Sequence, residues 1–182
     1  MYSISVKQGD LLDETDATFM INASNTRLIL GSGVSMSFKH KCGLELQNEM
    51  NKSLKEICST LQKGDVVITK PAKCTNTKYI LHTAIMNYNK GIKQNDKYPT
   101  LQTIREALLN IEKYLVWFYN KHKTKPKLVL PLMGCGVGGL DKIEVIKLYK
   151  EFFHRKIDFL VNVVIYGYTK DDFLLLQKII KA

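Results

Sequence analysis

Four of the chain's eleven glycines fall in one short stretch. It reads Leu130-Pro131-Leu132-Met133-Gly134-Cys135-Gly136-Val137-Gly138-Gly139, a hydrophobic run that stops in a nest of glycines. Glycine reaches positive φ freely and lets other atoms approach its backbone closely, so this clustering predicts a loop shaped around something. Leu128–Met133 has the pattern of a buried strand and Ile143–Phe153 that of a helix, so the stretch reads as strand, glycine loop, helix. At such a junction unpaired backbone N–H groups and the helix dipole favour an anion without any charged side chain. Phosphate is the natural candidate, and the alternative is a tight strand-to-helix connection with no ligand.

A second instance lies in the first half. Phe19-Met20-Ile21-Asn22-Ala23-Ser24-Asn25 ends a strand in two asparagines, and Leu30-Gly31-Ser32-Gly33-Val34-Ser35 leads into a helical stretch. The chain has neither a Walker lysine motif nor a Gly-x-Gly-x-x-Gly fingerprint. Two glycine loops after two strands suit a ligand with two phosphates, and the expectation is a pyrophosphate held between them.

Other reactive side chains are scattered. Cys42, Cys58, Cys74 and Cys135 include no pair at the two-residue gap of structural zinc or redox motifs, so reduced thiols are expected. His40, His82, His122 and His154 form no His-Glu-x-x-His pattern, and neither a metal nor a cofactor is expected. Cys135, inside the second loop at a helix entrance, is the residue whose thiol could be lowered in pKa and act as a nucleophile; the alternative is a small residue in a tight turn. His82 reads as a buried structural histidine.

The elements that must position these groups alternate between short apolar runs and longer amphipathic ones, the pattern of an α/β domain. Strands are expected at Ser3–Lys7, Ala17–Ile21, Val66–Thr69, Lys78–Thr83, Leu128–Leu132 and Phe159–Tyr166. Helices are expected over Ser35–His40, continuing past a break at Gly43 through Leu54, then over Thr100–Tyr119, Ile143–Phe153 and Asp171–Ile180. Thr100 follows Pro99 and reads as a helix cap. The polar Asn87–Tyr98 segment reads as a surface loop.

With 182 residues and 45% hydrophobic content, one domain over 1–182 is expected. No run approaches the ~20 apolar residues of a membrane span. The first residues lack the design of a secretory signal, which points to a soluble, cytoplasmic protein, and a monomer is the expected state. The net charge of +10 attracts phosphate-rich ligands and nucleic acid in general. Its densest run, Lys121–Lys127, has no interleaved aromatics and reads as a solvated loop.

Six segments in order resemble the macro domain. They are Gly9-Asp10-Leu11, Ile21-Asn22-Ala23-Ser24-Asn25, Gly31-Ser32-Gly33-Val34, Gly64-Asp65-Val66-Val67-Ile68-Thr69, Lys78-Tyr79-Ile80-Leu81-His82-Thr83 and Pro131–Gly139. The resemblance implies a three-layer α/β/α fold around a mixed sheet, with a cleft for ADP-ribose at the strand ends. It implies that Asp10 accepts from the adenine amine, that Leu11 lies beside the base and that Tyr166 stacks on it. The loops Gly31, Ser32, Gly33, Val34 and Gly134, Cys135, Gly136, Val137, Gly138 would wrap the pyrophosphate and distal ribose, which Asn25 and Asn22 would reach. Read without the family, Asp10 is rather a turn residue, Tyr166 a core residue at a strand end, and Asn22 and Asn25 helix or turn caps.

The resemblance leaves catalysis open. One branch of the family hydrolyses ADP-ribosyl esters with an acidic residue directly after the first glycine loop, where this chain has Ser35. A serine hydroxyl is no general base near pH 7 without a partner. A second branch pairs a lysine with an aspartate at the places held here by Met86 and Gly138, with Lys90 and Asp141 only nearby; the Cys-x-His insertion of the zinc-dependent branch is absent. The catalytic candidates are Ser35, Asn25 and Cys135, with Ser37 and His40 close to the first loop. The partner expected is ADP-ribose, or a protein or nucleic acid carrying it, with hydrolysis of ADP-ribosyl esters or of ADP-ribose 1″-phosphate as a further activity. The alternative is a basic module that binds nucleic acid or poly(ADP-ribose) without catalysis.

Overall fold

The computed structural model describes residues 1–182. Six strands, β1 (Tyr2–Gln8), β2 (Ala17–Asn25), β3 (Val66–Thr69), β4 (Thr77–Met86), β5 (Lys127–Pro131) and β6 (Val161–Gly167), form one sheet in the order β1-β6-β5-β2-β4-β3. Every neighbouring pair is parallel except β3 with β4, so the sheet is mixed. Parallel strands need crossovers, and helices supply them: α1 (Val34–Cys42), α2 (Leu44–Ile57), α3 (Leu101–His122) and α4 (Lys142–Phe153), with α5 (Lys170–Lys181) following the last strand.

The alternation of side chains along each strand divides the core. Phe19 and Ile21 of β2 join Leu128 and Leu130 of β5 on the face covered by α3, α4 and α5. Met20 and Val129 point the other way, into a second cluster with Phe38 of α1 and Leu46 and Met50 of α2. The result is three layers, α/β/α, with β2 and β5 buried on both faces as continuous apolar runs must be.

β3 has the bounds expected from the sequence, and the other strands end one to four residues away from theirs, mostly because pairing partners extend them. β2, for example, continues through Asn22–Asn25 because β4 runs alongside it to Met86. The α1–α2 break falls at Gly43, whose φ of +75 ends the first helix. Thr100 caps α3 in a reciprocal exchange with Thr103. The Asn87–Tyr98 segment contains a short 3₁₀ turn, Gln94–Lys97.

One expectation is overturned. Cys42 and Cys74 are joined in a disulfide, while Cys58 and Cys135 are free. The two are 32 residues apart, so spacing gave no sign of it. The fold brings the end of α1 against the turn between β3 and β4, where Lys73 N–H donates to the Cys42 carbonyl at 3.3 Å.

Candidate functional site

The C-terminal ends of β6, β5, β2 and β4 open into a cleft of about 560 Å³. Sheet order arranges its walls. Gly9, Asp10, Leu11 and Tyr166 stand at the β1–β6 end, the second glycine loop follows β5, the first follows β2, and Met86 and Tyr88 close the β4 end. Pockets of this size suit a ligand of nucleotide dimensions.

The first loop delivers α1 to the cleft. Asn25 Oδ1 accepts from the N–H groups of Arg27 and Ile29 at 3.1 and 3.2 Å, and its Nδ2 donates to the Ile29 carbonyl at 2.9 Å. The Asn25 side chain thus shapes the turn into the loop. Gln47 then takes the Leu30 N–H at 2.8 Å. Beyond it the N–H groups of Gly31, Ser32, Gly33 and Val34 find no acceptor within the chain. Gly33 sits at φ +56, ψ −134, a conformation open essentially to glycine alone, and no side chain caps the helix. The positive end of α1 therefore faces the cleft bare.

The second loop differs from the sequence expectation. Asp141 caps α4 by accepting from Glu144 N–H at 3.0 Å, so that helix entrance is closed by its own side chain. The loop itself offers the amides. Gly139 N–H donates to Gly136 and Leu140 N–H to Gly134, which folds the loop back and leaves the N–H groups of Gly136, Val137 and Gly138 unpaired. A Cβ on Gly138 would lie 2.6 Å from the Gly134 carbonyl oxygen, so the fold-back requires glycine there.

All the ligand residues expected from the sequence line this cleft except Asn22. Asn22 is fully buried beneath it, 3.0 Å from Nδ1 of His82, and its Oδ1 accepts from Ser35 Oγ at 2.8 Å. Asp10 accepts the Leu12 N–H at 2.9 Å through one carboxylate oxygen, so it is a turn cap, and the other oxygen lies 4.0 Å from Lys41 Nζ. Tyr166 lines the wall while its hydroxyl is anchored to buried Glu14.

Sequence reasoning passed over Ser24, Tyr88, Lys142, Tyr168, Thr169 and Asp172, all in the cleft wall. Tyr168 had a signal: it follows Tyr166 by two at a strand end. Lys142 and Asp172 had none, being 30 residues apart and joined only by the fold, Nζ to Oδ1 at 2.5 Å. Asp172 also exchanges hydrogen bonds with Thr169 in the cap of α5. Burial works against its negative charge, but the bonds from Lys142 and Thr169 outweigh it and hold the carboxyl below the usual range.

Residues 21–149 match the sequence model of the Macro domain. The chain belongs to the macro domain family. A protein of Saccharolobus solfataricus is 26% identical, with 96% of this chain and 90% of that one aligned. One from Fusobacterium nucleatum is 36% identical over 95 residues, half of each chain. Among solved structures, the Oceanobacillus iheyensis macrodomain with MES bound superposes with a TM-score of 0.76 at 20% identity, covering 98% of this chain and 90% of that one. The Trypanosoma brucei macrodomain in complex with ADP-ribose does so at 0.73 and 18%, covering 96% and 68%. These likenesses show that the fold is that of a macrodomain.

In this macro domain the side chains of Ser35 and His82 are engaged within the fold. Ser35, directly after the first loop, is buried and donates its proton inward, to Asn22 Oδ1 at 2.8 Å or the Ala23 carbonyl at 3.2 Å. His82 lies beyond Asn22 with its Nε2 2.8 Å from Thr69 Oγ1, and complete burial pushes it down to about 3, so it is a neutral structural group. Asn22 separates it from Ser35, and no Ser-His couple forms. Of the two readings of Cys135, burial favours the small residue in a tight turn. Burial pushes its thiol up to about 12, Lys142 opposes that only partly, and Asp172 and Asp141 add to it. Ser37 lines the cleft, whereas His40, Lys90 and Asp141 do not.

Proposed function

We propose that this macro domain binds ADP-ribose, free or attached to a target, in the cleft between its two glycine loops. The observation that carries the reading is the convergence of unpaired N–H groups from Gly31–Val34 and Gly136–Gly138 on one cavity. Such an array neutralises a diphosphate by fixed dipoles, which explains a cleft with a single cationic side chain in a chain of net charge +10. In this reading the base lies at the β1–β6 end, where the outer oxygen of Asp10, 4.0 Å from Lys41 Nζ, accepts from the adenine amine and Leu11 and Tyr166 form an apolar slot. The diphosphate spans β5 and β2, and the distal ribose reaches Asn25, Met86 and Tyr88. The complex of the Trypanosoma brucei macrodomain with ADP-ribose supports this choice of ligand.

We place the activity in recognition rather than hydrolysis. The carboxylates in the cleft wall, Asp10 and Asp172, both stand toward β1 and β6, away from the distal ribose where a general base would act. Calorimetric titration with ADP-ribose tests the reading: micromolar or tighter binding is expected, weakened by Asp10→Ala and by Gly33→Glu. Absence of heat at millimolar ligand contradicts it. Incubation with glutamate-linked and serine-linked ADP-ribosylated proteins and with ADP-ribose 1″-phosphate should give no turnover.

A further inference from the structure

Lys142 is the one cationic side chain in the cleft wall, and its position follows from the topology. It is the first residue of α4, the helix after β5, and its ammonium reaches Asp172 in the first turn of α5, the helix after β6. The pair therefore straddles the gap between the ends of β5 and β6. In the pose proposed above, the base sits over β1 and β6 and the diphosphate over β5 and β2, so the ribose that joins them crosses this same gap.

The two partners do not face the cleft equally. The Asp172 side chain is 10% exposed and that of Lys142 45%. One carboxylate oxygen takes the ammonium and the other takes the Thr169 N–H at 3.3 Å, so the carboxylate is consumed. An ammonium has three donors, and those not held by Asp172 are left for a ligand. In dinucleotide sites a carboxylate turned to the adenosine ribose selects its free 2′-hydroxyl, whereas a cation there accommodates a 2′-phosphate. Here the cation is the outward partner.

Resting on the ADP-ribose reading, we propose that Lys142 fits the cleft to ADP-ribose bearing a phosphate on its adenosine ribose, the ligand class derived from a 2′-phosphorylated dinucleotide. The phosphate meets the Lys142 ammonium in a charge-assisted hydrogen bond, with Asp172 fixing the side chain so that little rotamer freedom is lost on binding.

Calorimetric titrations with ADP-ribose and with ADP-ribose 2′-phosphate, at one ionic strength, test this on wild type, Lys142→Met and Lys142→Arg. The wild type should take the 2′-phosphate at least as tightly as ADP-ribose. Lys142→Met should weaken the phosphorylated ligand about tenfold and ADP-ribose by less than about threefold, the loss expected of one charged contact. Lys142→Arg should retain most of the preference. Exclusion of the 2′-phosphate by the wild type, or equal losses for both ligands in Lys142→Met, overturns the proposal while leaving ADP-ribose recognition standing. Failure of the wild type to bind either ligand overturns both. If Lys142→Met does not fold, the comparison of ligands on the wild type and Lys142→Arg decides.

Discussion

The hydroxyl of Tyr166 donates a 2.8 Å hydrogen bond to Oε2 of Glu14, a carboxylate buried beneath the β1–β6 end of the cleft. Lys7 and Lys127 reach the same carboxylate at 2.7 and 2.8 Å. Burial alone would raise the Glu14 pKa, but the bonds from Lys127, Lys7 and Tyr166 outweigh it and bring the group to about 2. The ring that lines this end of the cleft, where the base is proposed to bind, is thus held from behind by an ionised network.

This network gives the fold an acid sensitivity of known sign. The folded-state pKa of Glu14 lies below its ordinary value of 4.5, so the unfolded chain binds the proton first as the medium is acidified. The contribution is complete above about pH 4.5 and is lost as pH falls toward about 2. Urea midpoints measured across that window should fall steeply for the wild type and less steeply for Glu14→Gln. Equal slopes would show that Glu14 is not the group responsible. At neutral pH, Glu14→Ala should cost about 2 kcal/mol, because it leaves the buried Tyr166 hydroxyl without its acceptor, while the partly exposed Lys7 and Lys127 return to water.

The Cys42–Cys74 disulfide closes a loop of 32 residues. Chain-entropy reasoning for a loop of that length gives about 4 kcal/mol of stabilisation. Guanidinium unfolding with and without a phosphine reductant should show a loss of that order, and Cys42→Ser should match the reduced wild type. No difference on reduction would mean that the bond constrains nothing the unfolded chain explores.

The free cysteines should part company under alkylation. Cys58 is exposed, whereas burial holds the Cys135 thiol protonated far above neutrality. With iodoacetamide at pH 8, mass mapping should find Cys58 modified in the folded protein and Cys135 modified only after unfolding. Rapid labelling of Cys135 in the native state would restore it as a nucleophile.

Ser24 Oγ is a buried side-chain oxygen with no hydrogen-bond partner. The residue lines the cleft, so Ser24→Ala should change stability by less than about 1 kcal/mol. A larger loss of stability in urea would show that the hydroxyl is held after all.

The fold was readable from the sequence because its signals are local. The runs at Leu128–Leu132 and Ala17–Ile21 and the helical repeat through Leu101, Ile104, Leu108, Ile111 and Leu115 all express burial within a few residues. The glycine loops were legible for the same reason, since their conformational demand is written in their own residues. Features that depend on tertiary approach were not. The Cys42–Cys74 bond, the Lys142–Asp172 pair and the anchoring of Tyr166 by Glu14 join residues 30 or more apart in sequence. Asp141 was visible, yet its choice to cap α4 depends on how the second loop folds back. Asn22 was misplaced because β2 runs on past Ile21, which carries that side chain under the cleft floor to His82.

The central claim is that peptide N–H groups of two loops hold a diphosphate, and amide-resolved NMR tests it most directly. On titration with ADP-ribose, the ¹H–¹⁵N resonances of Gly31, Ser32, Gly33, Gly136, Val137 and Gly138 should shift strongly together, whereas adenosine should leave them in place. Unmoved loop amides under saturating ADP-ribose, or shifts confined to the lysine-rich segment 121–127, would contradict it.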